Sequence, residues 1–321
     1  MHPGEHIARI GIGMGVAGML LATAAWGCRT PAGAEAEPAA PARKAAAVPG
    51  GKKETDTPAP RKDLEWRLGV QAWTFNRFTF FEAVDKVKSL GLHWIEAYPG
   101  QKLGGTDEKA VFHHDMPAAA REEAKKKLAE AGVRLVNYGV VGLPGDEAGC
   151  RKVFDFAKEM GIETIVSEPA PASLPMIDRL CKEYGLRVAL HNHPRPARYW
   201  SPDIVLKAVK GCSPRIGACA DTGHWMRSGV PPLEALKKLE GRIVSFHFKD
   251  LNAFGDMKAH DVPWGTGKAD VKALLAEMKR QGFSGVFSIE YEYHWENSLP
   301  ELKACAACFK KTAAALGVKV R

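Results

Sequence analysis

From Trp66 onward, short runs rich in β-branched and aromatic residues alternate with longer stretches whose apolar positions recur every three or four residues. The first kind reads as strand and the second as amphipathic helix. Strands are predicted over 67–75, 92–98, 133–141, 163–169, 187–193, 215–221, 243–250 and 285–292. Helices are predicted over 80–90, 118–131, 147–160, 173–184, 203–210, 233–240, 271–281 and 299–316. Gly91, Gly132, Gly161, Gly185, Gly211, Gly241 and Gly282 each follow a predicted helix, where a left-handed residue closes it and lets the next strand begin. Eight strand–helix units, each roughly 25–35 residues long, predict a (β/α)₈ TIM barrel of the α/β class. A doubly wound open sheet is the competitor. No GxGxxG follows the first strand, which counts against it.

The first 63 residues break the pattern. Residues 10–27 carry no charge, follow Arg9 and end at Cys28, so 1–28 read as an export signal. Ala25-Trp26-Gly27-Cys28 resembles a bacterial lipoprotein cleavage box, which implies a lipidated Cys28 and membrane attachment. Cleavage after Ala36 would release a soluble product instead. Residues 29–63 are rich in Ala, Pro and Lys, with Val48 their one large aliphatic residue. They cannot bury enough apolar area to offset their ordering entropy, so they form a disordered linker. The expected organisation is a signal at 1–28, a linker at 29–63 and a single barrel domain at 64–321. The expected location is periplasmic or membrane-anchored.

The formal net charge of +8 raises nucleic acid as a partner. Seven basic against five acidic residues in 29–63, and a balance over 1–28, leave about +6 on the rest. Its lysines fall mainly in predicted helices, as in Lys125-Lys126-Lys127 and Lys237-Lys238, and a solvated helical face accounts for them. No nucleic-acid partner is expected. Seven cysteines include one CxxC, Cys305 to Cys308, with no second pair and no nearby His. That spacing does not make a zinc site, and buried thiols are expected.

Polar residues crowd the ends of the predicted strands, where barrel enzymes keep their chemistry. In strand eight, Phe287, Ile289 and Tyr291 suit the layer under the helices, so Ser288, Glu290 and Glu292 face the barrel axis. In strand seven Phe246 and Phe248 point out, and Ser245, His247 and Lys249 point in. His191 and His193 share one face of strand five. Glu168 ends strand four and Asp221 ends strand six. Inward carboxylates at a barrel mouth are costly unless a cation offsets them. Glu168, Asp221, His247 and Glu290 are therefore the predicted ligands of one divalent metal ion, with Mn²⁺, Mg²⁺, Co²⁺ or Zn²⁺ suiting mixed carboxylate and imidazole donors. Separate ion pairs with Lys249, Arg227 or Arg195 are the alternative use of these residues.

Residues 67–292 resemble the xylose isomerase-like TIM-barrel superfamily, the sugar phosphate isomerases/epimerases. The resemblance rests on Glu168, on Asp221 and His224 in ADTGHW, on His247 in SFHFKD, on VPWGTG (262–267) and on Glu290 in FSIEYE. It implies a metal held by Glu168, Asp221, His247 and Glu290, and a small-molecule carbohydrate substrate. It also implies proton transfer through an enediolate, with Glu168 and Glu290 as base and acid. Lys249 becomes a catalytic partner for a developing oxyanion. His193 and His224 would bind substrate hydroxyls. Trp73, Tyr98, Trp200, Trp225 and Trp264 offer faces to a sugar ring, and Glu96 ends strand two beside them. Ketose 3-epimerases carry an Arg soon after the strand-seven His. The stretch 251–262 has none, although Lys258 and His260 stand there.

The resulting expectation is a metal-dependent sugar isomerase or epimerase. The first rival is an exported lyase or hydratase acting on 3-keto-glycosides with the same site. A three-metal phosphodiesterase of this fold would need further His ligands on strands two and three, where Glu96 and Asn137 stand. A non-catalytic carbohydrate-binding lipoprotein would show a broken ligand set. The oligomeric state is left open.

Overall fold

The computed structural model describes residues 64–321; the export signal and linker read from residues 1–63 lie outside the described residues. β1 (Glu65–Gln71) is followed by a 3₁₀ turn over Ala72–Phe75, then α1 (Phe80–Ser89) and β2 (Trp94–Ala97). A hairpin of β3 (Gln101–Lys102) and β4 (Val111–Phe112) precedes α2 (Ala118–Ala131). β5 (Arg134–Tyr138), α3 (Glu147–Glu159), β6 (Thr164–Ser167), α4 (Leu174–Tyr184), β7 (Arg187–His191) and α5 (Pro202–Ala208) continue the alternation. β8 (Ile216–Asp221) runs straight into α6 (Thr222–Arg227), ahead of α7 (Pro232–Lys238). β9 (Ile243–Phe248), α8 (Val271–Arg280), β10 (Val286–Ile289), α9 (Leu299–Ala315) and β11 (Lys319–Val320) complete the order.

β1, β2 and β5 to β10 pair in parallel, neighbour to neighbour, and β10 pairs with β1, closing an eight-stranded barrel. The seven glycines predicted to end helices have φ between 64° and 86°, the left-handed region that glycine enters without a Cβ clash. β1 and β10 are shorter than predicted, so Trp73, Glu290 and Glu292 stand on the loops just past their strands. The β3–β4 hairpin and α6 were not predicted. α6 starts early because the Asp221 side chain accepts a hydrogen bond from the His224 N–H at 2.7 Å, capping the helix inside the site.

Outside the strands, Phe246 and Phe287 stack at 4.7 Å, and Trp66, Phe283 and Phe309 pack around Phe287. Phe309 comes from α9, which closes the ring of helices; removing its side chain would cost about 3–5 kcal/mol. Inside the barrel, Trp94, Val136 and Val286 form one apolar cluster and Val166, Ala189, Cys219 and Val244 a second. The barrel is thus packed solid below the polar ends of its strands. Gly139 shows how tight it is: a Cβ there would lie 2.3 Å from the Val166 carbonyl oxygen.

Candidate metal centre and active site

Strand alternation carries the apolar interior up into a polar layer. His191 ends β7, Asp221 ends β8, His247 lies in β9 and Glu290 follows β10. Each offers one ligand atom, and these four atoms lie within 4.8 Å of one another. His191 Nε2 is 3.6 Å from Asp221 Oδ2, and His247 Nδ1 is 3.2 Å from Glu290 Oε2. His191 Nε2 and His247 Nδ1 are buried without a well-formed hydrogen bond, and Asp221 Oδ2 has only an ion pair, with the Lys249 ammonium at 2.9 Å, the ion-pair alternative the sequence offered. Buried polar atoms are rarely left so, and two imidazole nitrogens converging on two carboxylates make a candidate place for a cation beside Lys249. Two imidazoles and two carboxylates suit a divalent transition metal.

Glu168 is not one of these four. It contacts His191 Nδ1 at 3.2 Å and also His193 Nδ1. The four-residue group thus takes His191 from strand five, while Glu168, predicted as a ligand from strand four, joins His191 and His193 in a second candidate group. Because β6 and β7 run in register, with Ser167 beside Leu190, Glu168 stands beside His191. Its carboxylate takes that ring's outer nitrogen. Glu96 does the same for His247, lying 2.8 Å from Nε2. Each imidazole is therefore turned by a carboxylate so that its free nitrogen faces the common point, an arrangement that fixes the tautomer of metal-binding histidines.

Glu96 is fully buried and takes further hydrogen bonds from Gln71, Asn137 and Ser288. It sits beneath the cavity and does not face it, contrary to the expectation that it binds substrate. Lys249, expected to be catalytic, is also fully buried. Its ammonium lies 2.9 Å from Asp221, 2.7 Å from Glu290 and 2.8 Å from Glu292. It holds three carboxylates together and does not border the cavity.

The electrostatics show how strongly the cluster draws positive charge. Burial would lower both imidazoles, but Asp221 and Glu168 hold His191 above its usual range. Cys219, Glu290 and Glu96 do the same, more strongly, for His247. Burial also opposes the charge on Lys249, yet Asp221, Glu290 and Glu292 keep it well above its ordinary value. Burial raises Glu168, but hydrogen bonds with His191 and His193 outweigh it and hold the carboxyl at about 2. Asp261, beside Arg227, is pushed by burial to about 8 and adds no charge near neutral pH. Glu168, Asp221 and Glu290 thus converge on Lys249 and on two imidazoles held above their usual range. A divalent ion would take the place of the protons those imidazoles otherwise draw.

Above the cluster opens a cavity of about 270 Å³ bordered by Gln71, Trp73, Tyr98, His191, His193, His224, Glu290 and Glu292. His224 and His193 thus lie where the sequence placed them, and so do Trp73 and Tyr98. Burial drives His224 well below its usual range, so the ring is neutral. Arg227 lies 3.0 Å from its Nδ1, which must accept, leaving the ring hydrogen on Nε2. Trp264 was expected to stack on sugar but is buried against Phe248 and Phe309. Asp250 causes this: its carboxylate accepts the N–H groups of Gly265, Gly267 and Ala269, each at 2.9 Å, and tucks the loop inward. Trp225 is likewise buried, Trp200 lies under Arg195, and His260 stacks on Tyr293.

The family model described as xylose isomerase-like TIM barrel matches residues 84–312. The chain belongs to that family. A protein of Parabacteroides distasonis ATCC 8503 of known structure is 35% identical, with a TM-score of 0.63 over 77% of this chain and 98% of that one. A D-tagatose 3-epimerase-like protein shares the fold at 18% identity, with a TM-score of 0.62 over 78% and 98% of the two chains. Inosose dehydratase of Lacticaseibacillus casei is 25% identical over 126 residues, a match spanning 35% of this chain and 42% of that enzyme. The chain is thus similar to proteins named for isomerase-type and for dehydratase-type activity, and it carries a candidate divalent-metal site.

Proposed function

We propose that the chain is a divalent-metal-dependent carbon–oxygen lyase that acts on a keto sugar. The carrying observation is the placement of Glu168. Inversion at carbon needs a base on one face and an acid on the other, and Glu168 was expected to supply the second carboxylate. It is instead engaged with His191 and His193. The cavity's carboxylates, Glu290 and Glu292, both follow β10, and the rest of its ionisable wall is the imidazoles of His191, His193 and His224 with the Tyr98 phenol. A base on one side and imidazoles on another suit elimination.

A divalent ion bound by His191, Asp221, His247 and Glu290 supplies Lewis-acid polarisation of a substrate carbonyl. Glu290 gives Oε2 to the cluster; the residue borders the cavity, and in this reading it accepts the proton on the carbon beside the carbonyl. The electron pair of that C–H bond forms the new C=C bond as the C–O bond on the next carbon breaks. His193, oriented by Glu168, delivers a proton to the departing oxygen. His224, whose Nε2 lies 3.5 Å from Asp221 Oδ2, borders the cavity as a neutral ring. The products are an unsaturated ketone and an alcohol or water. The export signal and linker expected in residues 1–63 would put this enzyme outside the cytoplasm, where glycosides and oxidised sugars are met, and so favour this reading.

The second reading is a sugar isomerase or epimerase using the same metal and Glu290. It is favoured by the single well-placed base, since a 1,2-proton shift needs only one. A panel of keto-glycosides and free ketoses, incubated with and without chelator, separates the two. Metal-dependent formation of an unsaturated sugar is the expected result, and a stereoisomer or positional isomer selects the second reading. Turnover unchanged by chelation contradicts both.

A further inference from the structure

Among the described residues, five large apolar side chains stand exposed: Trp73, Val111, Phe254, Met257 and Tyr293. Every one lies in a connection that runs from a strand to the next helix, on the face that carries the cavity. Chance does not segregate exposed apolar side chains to one end of a barrel, and such patches mark binding surfaces. Helix surfaces and the opposite end of the barrel show none among the described residues.

The patch has structure. Trp73 remains 41% exposed although it meets Tyr98 edge-on at 5.0 Å and Trp295 at 6.4 Å. These three aromatics come from the loops after β1, β2 and β10. Tyr293 stacks on His260 at 4.3 Å, joining the loop after β10 to the loop after β9. Phe254 and Met257 lie on that same β9 loop. Trp73 and Tyr98 belong to the cavity wall as well as to the rim, so the Trp73–Tyr98–Trp295 part of the apolar surface is continuous with the proposed active site. The cavity, at about 270 Å³, falls below the 300–1,000 Å³ typical of drug-sized ligands and has room for one sugar ring. Anything joined to that ring must lie on the rim.

We infer that the rim is a second subsite, for a ring joined to the reacting sugar, so that the substrate is a glycoside or disaccharide and not a free monosaccharide. Flat aromatic faces suit the apolar face of a second sugar or an aromatic aglycone. The inference rests on the carbohydrate reading above. In the lyase reading, this second ring is the group expelled.

Calorimetric titration of the metal-loaded full chain tests it, with matched methyl and phenyl glycosides of glucose, galactose, mannose and xylose as probes. In the best-bound series, the phenyl glycoside should bind at least about tenfold more tightly than the methyl glycoside, a difference near 1.4 kcal/mol. The Tyr293→Ala and Phe254→Ala variants should each bring that ratio towards one. Equal binding of methyl and phenyl members by the unaltered chain overturns the second subsite and leaves the carbohydrate reading standing. Binding of no glycoside at all overturns the second subsite, whereas the carbohydrate reading falls only if no keto sugar of the panel above is turned over. Concentration-dependent dimerisation abolished by Tyr293→Ala, with no phenyl preference, assigns the rim to a second copy of the chain and overturns the subsite.

Discussion

Glu96 lies 2.8 Å from His247 Nε2, and this contact turns the ring so that Nδ1 faces Glu290 at 3.2 Å. The two residues are 151 positions apart in the chain and both fully buried. One carboxylate thereby sets the direction of a ligand without touching the point where the ion would sit. Glu96→Gln keeps the size but replaces an acceptor with an amide, weakening the hold on that tautomer. Metal affinity should fall about 10–100-fold, with one ion still bound and the thermal transition retained. Fluorescence competition with a metal indicator reads both quantities. Unchanged affinity would show that His247 is oriented by other contacts.

Glu168 acts on His191 in the same way, and this separates the structure from the reading of the sequence. If Glu168 is the partner of a ligand, Glu168→Gln lowers affinity about 10–100-fold but keeps the stoichiometry. If it were a ligand itself, the variant would lose the ion.

Gly139 leaves no room for a side chain, because a Cβ there would lie 2.3 Å from the Val166 carbonyl oxygen. Its own carbonyl accepts a hydrogen bond from Gln71 at 2.8 Å, at the cavity wall. Gly139→Ala should destabilise the barrel by about 1–3 kcal/mol through overpacking. Urea unfolding followed by circular dichroism checks this, and a midpoint equal to that of the unaltered chain would contradict the close approach.

Asp178 provides a pH test away from the metal. Burial raises its carboxyl, but Lys182 and Ser213 outweigh burial and hold it below the ordinary carboxylate value. A depressed folded pKa means that its stabilisation is present above the unfolded value of about 3.9 and is lost as pH falls through the folded value. The gap in melting temperature between the unaltered chain and Asp178→Asn should be open at pH 6 and narrow below about pH 4. A gap that widened on acidification would contradict the sign.

The barrel was legible because period-two and period-3.6 patterns and the closing glycines speak locally. Ser288, Glu290 and His247 were also placed by alternation along single strands, and Asp221 by its position at the end of one. The division of labour between Glu168 and His191 was not legible. Both sit at strand ends, and only the register of β6 on β7 decides which one reaches the shared point. Trp264 misled for a similar reason. Its loop is folded inward by three backbone hydrogen bonds to Asp250, a relation between residues 15 to 19 apart with no periodic signature. The buried partnership of Glu96 and His247 depends on the barrel closing, which no local pattern encodes.

Metal binding by the purified chain tests the central claim most directly. Protein stripped with chelator and dialysed against Mn²⁺, Co²⁺ or Zn²⁺ should retain one equivalent per chain by elemental analysis. His191→Ala should retain none while keeping its circular dichroism spectrum. A folded chain that takes up no ion, or a His191→Ala variant that still binds a full equivalent with unchanged affinity, would contradict the account.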